Sequence, residues 1–505
     1  MVATRPHIPR HLTAVVDRLL QDFRVVVITG PRQVGKSTLA QAVLRGRPGT
    51  YLTLDQPDIR ERALADPTGL VNAGNEGTTV IDEVQLAPEL LRAVKLAVDR
   101  DERPGAFLLT GSANLLRMRD VSETLAGRAA YVELPPLTLS ERVGLPAPLS
   151  IDAAFTAPSA EEFLASIPLP SGASTAVLRD QLCDAVIEGG MPGVIGMGSE
   201  PRRNWYSAYL STFVERDLWQ LGRVDDLLAF RRLYSLALLR TSGLLNRADL
   251  ASDAALDQRT VNRYLDLLDL GYQTRMLAPF SANLGKRLVK MPKVYARDSG
   301  MAAHVMRIDA WAAAESAGLS GQLFETWMLG ELSALESLSA SASTMHFWRT
   351  AAGSEVDMLL ERGTSLVGVE FKSSSTVRWN DTRGLRALRD SMGDHFRMGV
   401  IAYLGEEIRV LDDRICAVPA WALVGGTAAA AARTDLGGAS IGREEPLGSL
   451  EAARLSAGMR IAQVAELLGV DEASVTGWEA SGYEDAPLRV VRTLAETLGV
   501  TVRLG

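Results

Sequence analysis

Val25-Val26-Val27-Ile28 is an unbroken run of β-branched residues, a pattern that predicts a strand buried on both faces. Upstream, LTAVVDRLLQDF at 12–23 places apolar residues at helical spacing and predicts an amphipathic helix feeding that strand. Downstream, the spacing of Leu39, Ala42 and Val43 predicts a second helix. Further short apolar runs follow at Thr50–Leu54, Thr79–Ile81, Phe107–Thr110 and Ala130–Leu134. Strands alternating with helical patterns predict an α/β domain over residues 1–145. Residues 146–177, rich in Pro, Ala and Ser, read as an insertion or linker. Residues 178–305 are expected to form a helical and winged-helix domain, with two short helices at 247–251 and 260–268 and strand-like segments around 286–295. Residues 306–423 form a third α/β domain, opened by a long helix from Gly321 to about Leu338 and followed by strands at 346–349, 355–360 and 366–372. A Gly/Ala-rich tether at 424–447 leads to a helix-turn-helix pattern at 448–505.

The turn after the first strand carries chemistry. Gly30-Pro31-Arg32-Gln33-Val34-Gly35-Lys36-Ser37, followed by Thr38, fits G-x-x-x-x-G-K-[ST] between a strand and a helix. Glycines let backbone N–H groups close around a phosphate, and the helix N-terminus adds partial positive charge. Lys36 is then placed for the β- and γ-phosphates and Ser37 for Mg²⁺, implying a nucleoside triphosphate and Mg²⁺ as ligands. The strand ending in Asp82 and Glu83 supplies a candidate metal ligand and a candidate base for the attacking water. Ser112 and Asn114, just past Phe107–Thr110, are candidate γ-phosphate sensors; Thr110, nearer the strand, reads as structural. Arg128 is either a transition-state cation for a neighbouring subunit or one half of a surface ion pair.

GPRQVGKST, VIDEVQ, LLTGSANLL, LAGR and LPPLTLSE together resemble the prokaryotic AAA-type P-loop ATPases that carry a C-terminal domain of unknown function. EGGMPGVI, YLSTFVERDL and PKVYARDSG resemble the first half of that partner domain, so the resemblance spans roughly residues 10–420. It implies ATP hydrolysis, with Lys36, Asp82, Glu83 and Arg128 as nucleotide contacts. Within the third domain, Glu325 near a helix start, Asp357 on one strand and Glu370-x-Lys372 on the next resemble the PD-(D/E)xK nuclease fold. Residues 370 and 372 are two apart and share one face of a strand, so Asp357 and Glu370 can share a second divalent metal while Lys372 orients water. Glu-Lys alternation is also routine on half-exposed strands. Residues 461–479 resemble the Cro/repressor helix-turn-helix, with Gln463 and Ser474–Thr476 where such domains contact DNA.

Composition narrows the partners. The 505-residue chain is 47% hydrophobic and has a net charge of −8, which argues against general nucleic-acid binding. Residues 240–300 reverse that balance with 10 Lys/Arg and 6 Asp/Glu, which points to Arg259, Asn262, Arg263, Lys286, Arg287 and Lys290 as candidate DNA contacts. A winged helix used for subunit packing fits the same pattern. The terminal helix-turn-helix holds 5 Arg against 8 Asp/Glu, so a protein partner suits it at least as well as DNA. Two distant cysteines, no apolar leader and no membrane-length apolar run predict a cytoplasmic protein without membrane contact. The expected function is ATP-driven work on DNA by a homo-oligomer, in ring form or otherwise, such as remodelling, branched-DNA processing or defence. The alternatives are a nucleotide-dependent switch gating a nuclease, and a protein-binding scaffold whose nuclease-like domain is inactive.

Overall fold

The computed structural model describes residues 8–73, 77–111, 125–167, 175–212, 224, 226–281 and 291–425. Toward the C-terminus it describes residues 444–445, 461, 465, 470, 474–476, 478 and 501–502. The chain divides into two compact units, Met1–Ala430 and Ala431–Gly505.

The first unit opens with a parallel sheet of β1 (Val25–Thr29), β2 (Gly49–Thr53), β3 (Thr78–Asp82), β4 (Phe107–Thr110) and β5 (Ala129–Glu133). Its strand order is β2-β3-β4-β1-β5, with β1 inside. The β1 run is apolar throughout because each face meets a different layer. Val25 and Val27 pack with Leu90, Val94 and Val98 of the helix Leu90–Arg100. Val26 and Ile28 pack with Leu12, Val16 and Leu20 of the helix Leu12–Asp22 and with Leu39 and Val43.

The helices Ser199–Thr212, Leu227–Leu239 and Ser299–Val305 accompany a small antiparallel sheet, order β6-β8-β7, of β6 (Gly243–Leu244), β7 (Thr274–Leu277) and β8 (Lys293–Ala296). Two capped helices stand beside it. Asn246 accepts from Ala248 and Asp249 N–H to start Arg247–Ala254, and Asp257 accepts from Thr260 N–H to start Gln258–Leu270. We refer to this as the helix-pair module; Lys286, Arg287 and Lys290 lie outside the described residues.

The third part is a six-stranded sheet of β9 (Thr344–Arg349), β10 (Glu355–Arg362), β11 (Ser365–Lys372), β12 (Phe396–Tyr403), β13 (Arg409–Asp412) and β14 (Ile415–Pro419). β9, β10 and β11 form an antiparallel meander, the helix Arg383–Met392 crosses over, and β12 joins β11 in parallel. Gly384 is obligatory in that crossover, since a Cβ there would lie 1.9 Å from the Glu355 carbonyl oxygen. The helix Ser320–Glu336 packs against β11.

Within the stretch 146–177 expected as an insertion or linker, residues 150–166 are folded. The helices Ser150–Thr156 and Ala160–Ser166 bury Ile151, Ala154, Phe155 and Phe163, and they line one cavity with Leu360, Val367, Val369 and Val400 of the third sheet. Arg362 fixes them from that sheet, with Nη1 2.9 Å from Asp152 Oδ1 and the guanidinium 4.2 Å from the Phe155 ring centre. Pro, Ala and Ser dominate the stretch, but its few large apolar residues fall at i, i+3 and i+4 and form a helix face. Residues 168–174 lie outside the described set.

Glu331 joins the first and third parts. It is buried and accepts the Leu139 N–H through both oxygens at 3.1 and 3.0 Å. Burial pushes its carboxyl up from 4.5 to about 8, against the pull of the Leu139 N–H and the Arg142 charge. The native state therefore holds a proton that the unfolded chain releases, and stability falls as pH rises from about 4.5 to about 8. In denaturant titrations between pH 5 and 8, Glu331→Gln, which keeps an acceptor, is expected to remove a loss of up to about 1.4 kcal/mol per pH unit. An unchanged slope in the variant would refute this.

In the second unit, Ser474–Thr476 are helical, Ala465 and Val475 are buried, and Val470 N–H donates to the Ala465 carbonyl at 3.0 Å. Glu444–Glu445 pairs in parallel with Thr501–Val502. Gln463 lies outside the described residues. Among the described residues no helix is long and apolar enough to cross a membrane.

Candidate active sites

β1 ends at Thr29 and the chain turns at Gly30, where φ is +142° and a Cβ would stand 2.4 Å from the Leu134 carbonyl oxygen. Gly35, at φ +101°, delivers the chain into the helix Lys36–Arg45. Between them Pro31 and Val34 are buried, while Gln33 and, one turn on, Thr38 are exposed. Lys36 is buried and its ammonium donates to the Gly30 and Pro31 carbonyls at 3.1 and 2.8 Å. Burial pushes Lys36 down to about 8, opposed by the charges of Glu83 and Asp82. A buried ammonium held by carbonyls alone, beside a helix N-terminus, fits a triphosphate.

Asp82, at the tip of β3, accepts from Ser37 Oγ at 2.9 Å, from Tyr51 OH at 2.8 Å, from Thr53 Oγ1 at 3.3 Å and from Thr110 Oγ1. Ser37 and Asp82 thus converge where Mg²⁺ needs oxygen ligands, and they fit that ion. Glu83 takes a left-handed backbone, φ +59°, fixed by its N–H donating to Thr110 Oγ1 at 3.1 Å, and its carboxylate accepts from Gln85 Nε2. Thr110 therefore holds both acids in place, a supporting role in keeping with its reading as structural. Arg10 was missed: its guanidinium donates to Val34 O at 2.9 Å and Pro135 O at 2.6 Å and pairs with Glu141 at 3.1 Å. Ser112 and Asn114 lie outside the described residues.

A second cluster forms in the third part. Glu325 from the helix Ser320–Glu336, Glu355 and Asp357 from β10, and Glu370 from β11 converge there. Lys372 Nζ lies 2.8 Å from Glu370 Oε1, and Phe371 N–H donates to Asp357 Oδ2 at 3.0 Å. Burial, with Asp357 nearby, pushes Glu325 up to about 7 and Glu370 up to about 8. The sequence did not suggest that Lys293 of β8 enters the same cluster, 2.9 Å from Glu325, 2.7 Å from Glu355 and 3.3 Å from Asp357.

Residues 22–143 match the family described as an AAA domain. Residues 179–312 and 320–423 match two domains of unknown function, DUF8612 and DUF4143, and 450–504 match a helix-turn-helix. An uncharacterized protein of Mycobacterium tuberculosis is 32% identical over 413 residues, 81% of this chain and 83% of that protein. An uncharacterized protein of Mycobacterium bovis matches to the same extent. This chain belongs to the AAA-type P-loop ATPases that carry a DUF4143 domain. Among solved structures, a Walker-type ATPase of Pyrococcus abyssi is similar at 16% identity over 60% of this chain and 99% of that one, TM-score 0.35. AMPPCP-bound DnaA from Aquifex aeolicus is similar at 16% identity over 51% and 86%, TM-score 0.22.

In this AAA-type ATPase, Arg128 sits far from its own phosphate loop. It precedes β5 at the edge where Val25 pairs with Ala129, about 13 Å along the strands from Thr29. There it forms a bidentate pair with Asp99, whose carboxyl it holds below the usual range. The stretches EGGMPGVI and PKVYARDSG meet as a buried joint. Asp298 Oδ2 accepts Gly190 N–H at 2.7 Å, and its Oδ1 accepts Tyr206 OH at 2.6 Å and Met301 N–H at 2.9 Å.

Four of the ten cations in residues 240–300 close ion pairs within the first unit. Arg240 pairs with Asp253, Arg275 and Arg297 with Glu133, and Lys293 with the carboxylate cluster. Arg259, Asn262 and Arg263 do lie together on the exposed face of Gln258–Leu270.

Proposed function

We propose that this AAA-type ATPase hydrolyses ATP while engaged on DNA, as a homo-oligomer in which the helix-pair module is a winged helix gripping the duplex. The observation carrying this reading is a direct link between the two sites. Two residues past the helix that displays Arg259, Asn262 and Arg263, Tyr272 OH donates to Thr29 Oγ1 at 2.7 Å, next to Gly30 of the phosphate loop. A shift in the loop on nucleotide binding is thereby felt at the end of the DNA-facing helix.

Bound ATP with Mg²⁺ supplies the phosphoryl group and neutralises charge during its transfer. Lys36 would contact the phosphates, and Ser37 and Asp82 would hold the metal. Glu83, set by Thr110 and Gln85, takes the proton of the attacking water. Ser112 and Asn114 follow β4 and are proposed as sensors. Arg128 acts only across a subunit boundary, because its place at the far edge of the sheet separates it from its own site. The meander ending in Glu370-x-Lys372 supports a nuclease-like origin for the third part.

The test is the ATPase rate with and without duplex, single-stranded and branched DNA. Stimulation by one form supports the reading; indifference to all, with no binding at moderate salt, sinks it and favours a protein-binding scaffold. Replacing Arg259 and Arg263 together by Ala is expected to weaken DNA binding and to lower the slope of log affinity against log salt by about 2. Anisotropy titrations across a salt series read this directly, and an unchanged slope would remove this face from the interface.

A further inference from the structure

We propose that Lys293 is the resident cation of the carboxylate cluster and closes it to divalent metal ions. This rests on reading the third part as nuclease-like, in which Glu325, Asp357 and Glu370 would be the metal ligands.

The donor set does not fit a divalent ion as it stands. The three N–H bonds of the Lys293 ammonium match three carboxylates, Glu325 at 2.9 Å, Glu355 at 2.7 Å and Asp357 at 3.3 Å, and the side chain is 5% exposed. Two further carboxylate oxygens, Asp357 Oδ2 and Glu370 Oε1, are engaged by other donors, and Tyr295 shares Glu325 Oε1 with Lys293. Tyr295 OH donates to Glu325 Oε1 at 2.6 Å, Phe371 N–H to Asp357 Oδ2 at 3.0 Å and Lys372 to Glu370 Oε1 at 2.8 Å. Glu370 Oε2 is buried without a hydrogen-bond partner. A hard divalent cation needs six or more oxygens at about 2.0–2.6 Å, and an ammonium between two of its carboxylate ligands repels it and occupies the oxygens it requires.

The strand holds the base of the Lys293 side chain over the cluster. Lys293 and Tyr295 are two apart on β8, so both point to the cluster. β8 is paired on both sides, with Leu244 of β6 and Leu277 of β7 opposite Lys293. A one-residue slip would turn both side chains to the opposite face. The Phe347 ring centre lies 5.6 Å from the ammonium and adds a cation–π contact. Metal entry therefore requires the Lys293 side chain to give up its three carboxylates.

Mn²⁺ binding to the nucleotide-free full chain tests this, followed by electron paramagnetic resonance and by thermal melting. The wild type is expected to show no Mn²⁺ uptake that depends on Asp357. Lys293→Met is expected to take up one Mn²⁺ per chain and to melt higher with Mn²⁺ than without, both effects disappearing when Asp357→Asn is added. Wild-type uptake that Asp357→Asn abolishes overturns the proposal while leaving the nuclease-like reading intact. Failure of both wild type and Lys293→Met to bind overturns the proposal and that reading together. Should Lys293→Met not fold without metal, Lys293→Gln takes its place, and the comparison of wild type with Asp357→Asn retains its power to refute.

Discussion

Glu83→Gln is expected to slow ATP hydrolysis by about 10²- to 10⁴-fold while leaving nucleotide binding intact. The change is nearly isosteric; it removes the ability to accept a proton together with one of the two carboxylate charges near Lys36. Lys36, Ser37 and Asp82, the groups that meet the phosphates and metal in the proposed mechanism, are untouched. The Glu83 backbone sits at φ +59°, a conformation held by its N–H bond to Thr110 at 3.1 Å, and that bond does not depend on the side-chain charge. The variant should therefore trap ATP in a preformed site. Turnover measured beside fluorescent-nucleotide titration separates the two effects. A variant hydrolysing within a factor of ten of wild type would remove Glu83 from the role of base. Gln85→Ala should give a smaller loss, because the carboxylate stays and only its orientation relaxes.

What the sequence revealed was local. The strand, the glycine turn and Lys36-Ser37 lie within 14 consecutive residues, 25–38, so spacing alone defines their geometry. Asp82 and Glu83 were legible because an apolar strand ends on them. Their support was not: Tyr51, Thr53 and Thr110 come from neighbouring strands and read in the sequence as ordinary strand residues. Arg10 and Tyr272 reach the phosphate loop across 24 and 243 residues, separations at which no periodic pattern operates.

Charge counting could not tell paired cations from free ones. A net balance treats every cation as facing solvent, yet Arg240, Arg275, Lys293 and Arg297 close ion pairs within the first unit. Lys293 illustrates this best, since a lysine opening the strand KVYA looks like an edge charge and is instead buried among carboxylates. At 150–166 composition hid two helices in the same manner, because Pro, Ala and Ser outnumber the few residues whose spacing forms the buried face.

Arg142→Ala is expected to destabilise the first unit by about 3–5 kcal/mol, because it strands a buried carboxylate. Arg142 and Glu188 are both nearly inaccessible, and Arg142 Nη2 pairs with Glu188 Oε2 while its Nη1 donates to Gly189 O at 3.1 Å. Glu188 Oε1 accepts Gly196 N–H at 2.7 Å, which alone cannot offset an unpaired charge. The prediction concerns the charge rather than the contact. Adding Glu188→Gln to Arg142→Met keeps the acceptor for Gly196 and removes both charges, so the double variant should regain about 2 kcal/mol over Arg142→Ala. Chemical denaturation of the three proteins decides the matter. If the double variant is as unstable as Arg142→Ala, the loss comes from packing and the Gly189 bond. Recovery would show that the joint between LPPLTLSE and EGGMPGVI is an electrostatic latch, where a single unmatched substitution loosens the ATPase sheet from the helices behind it.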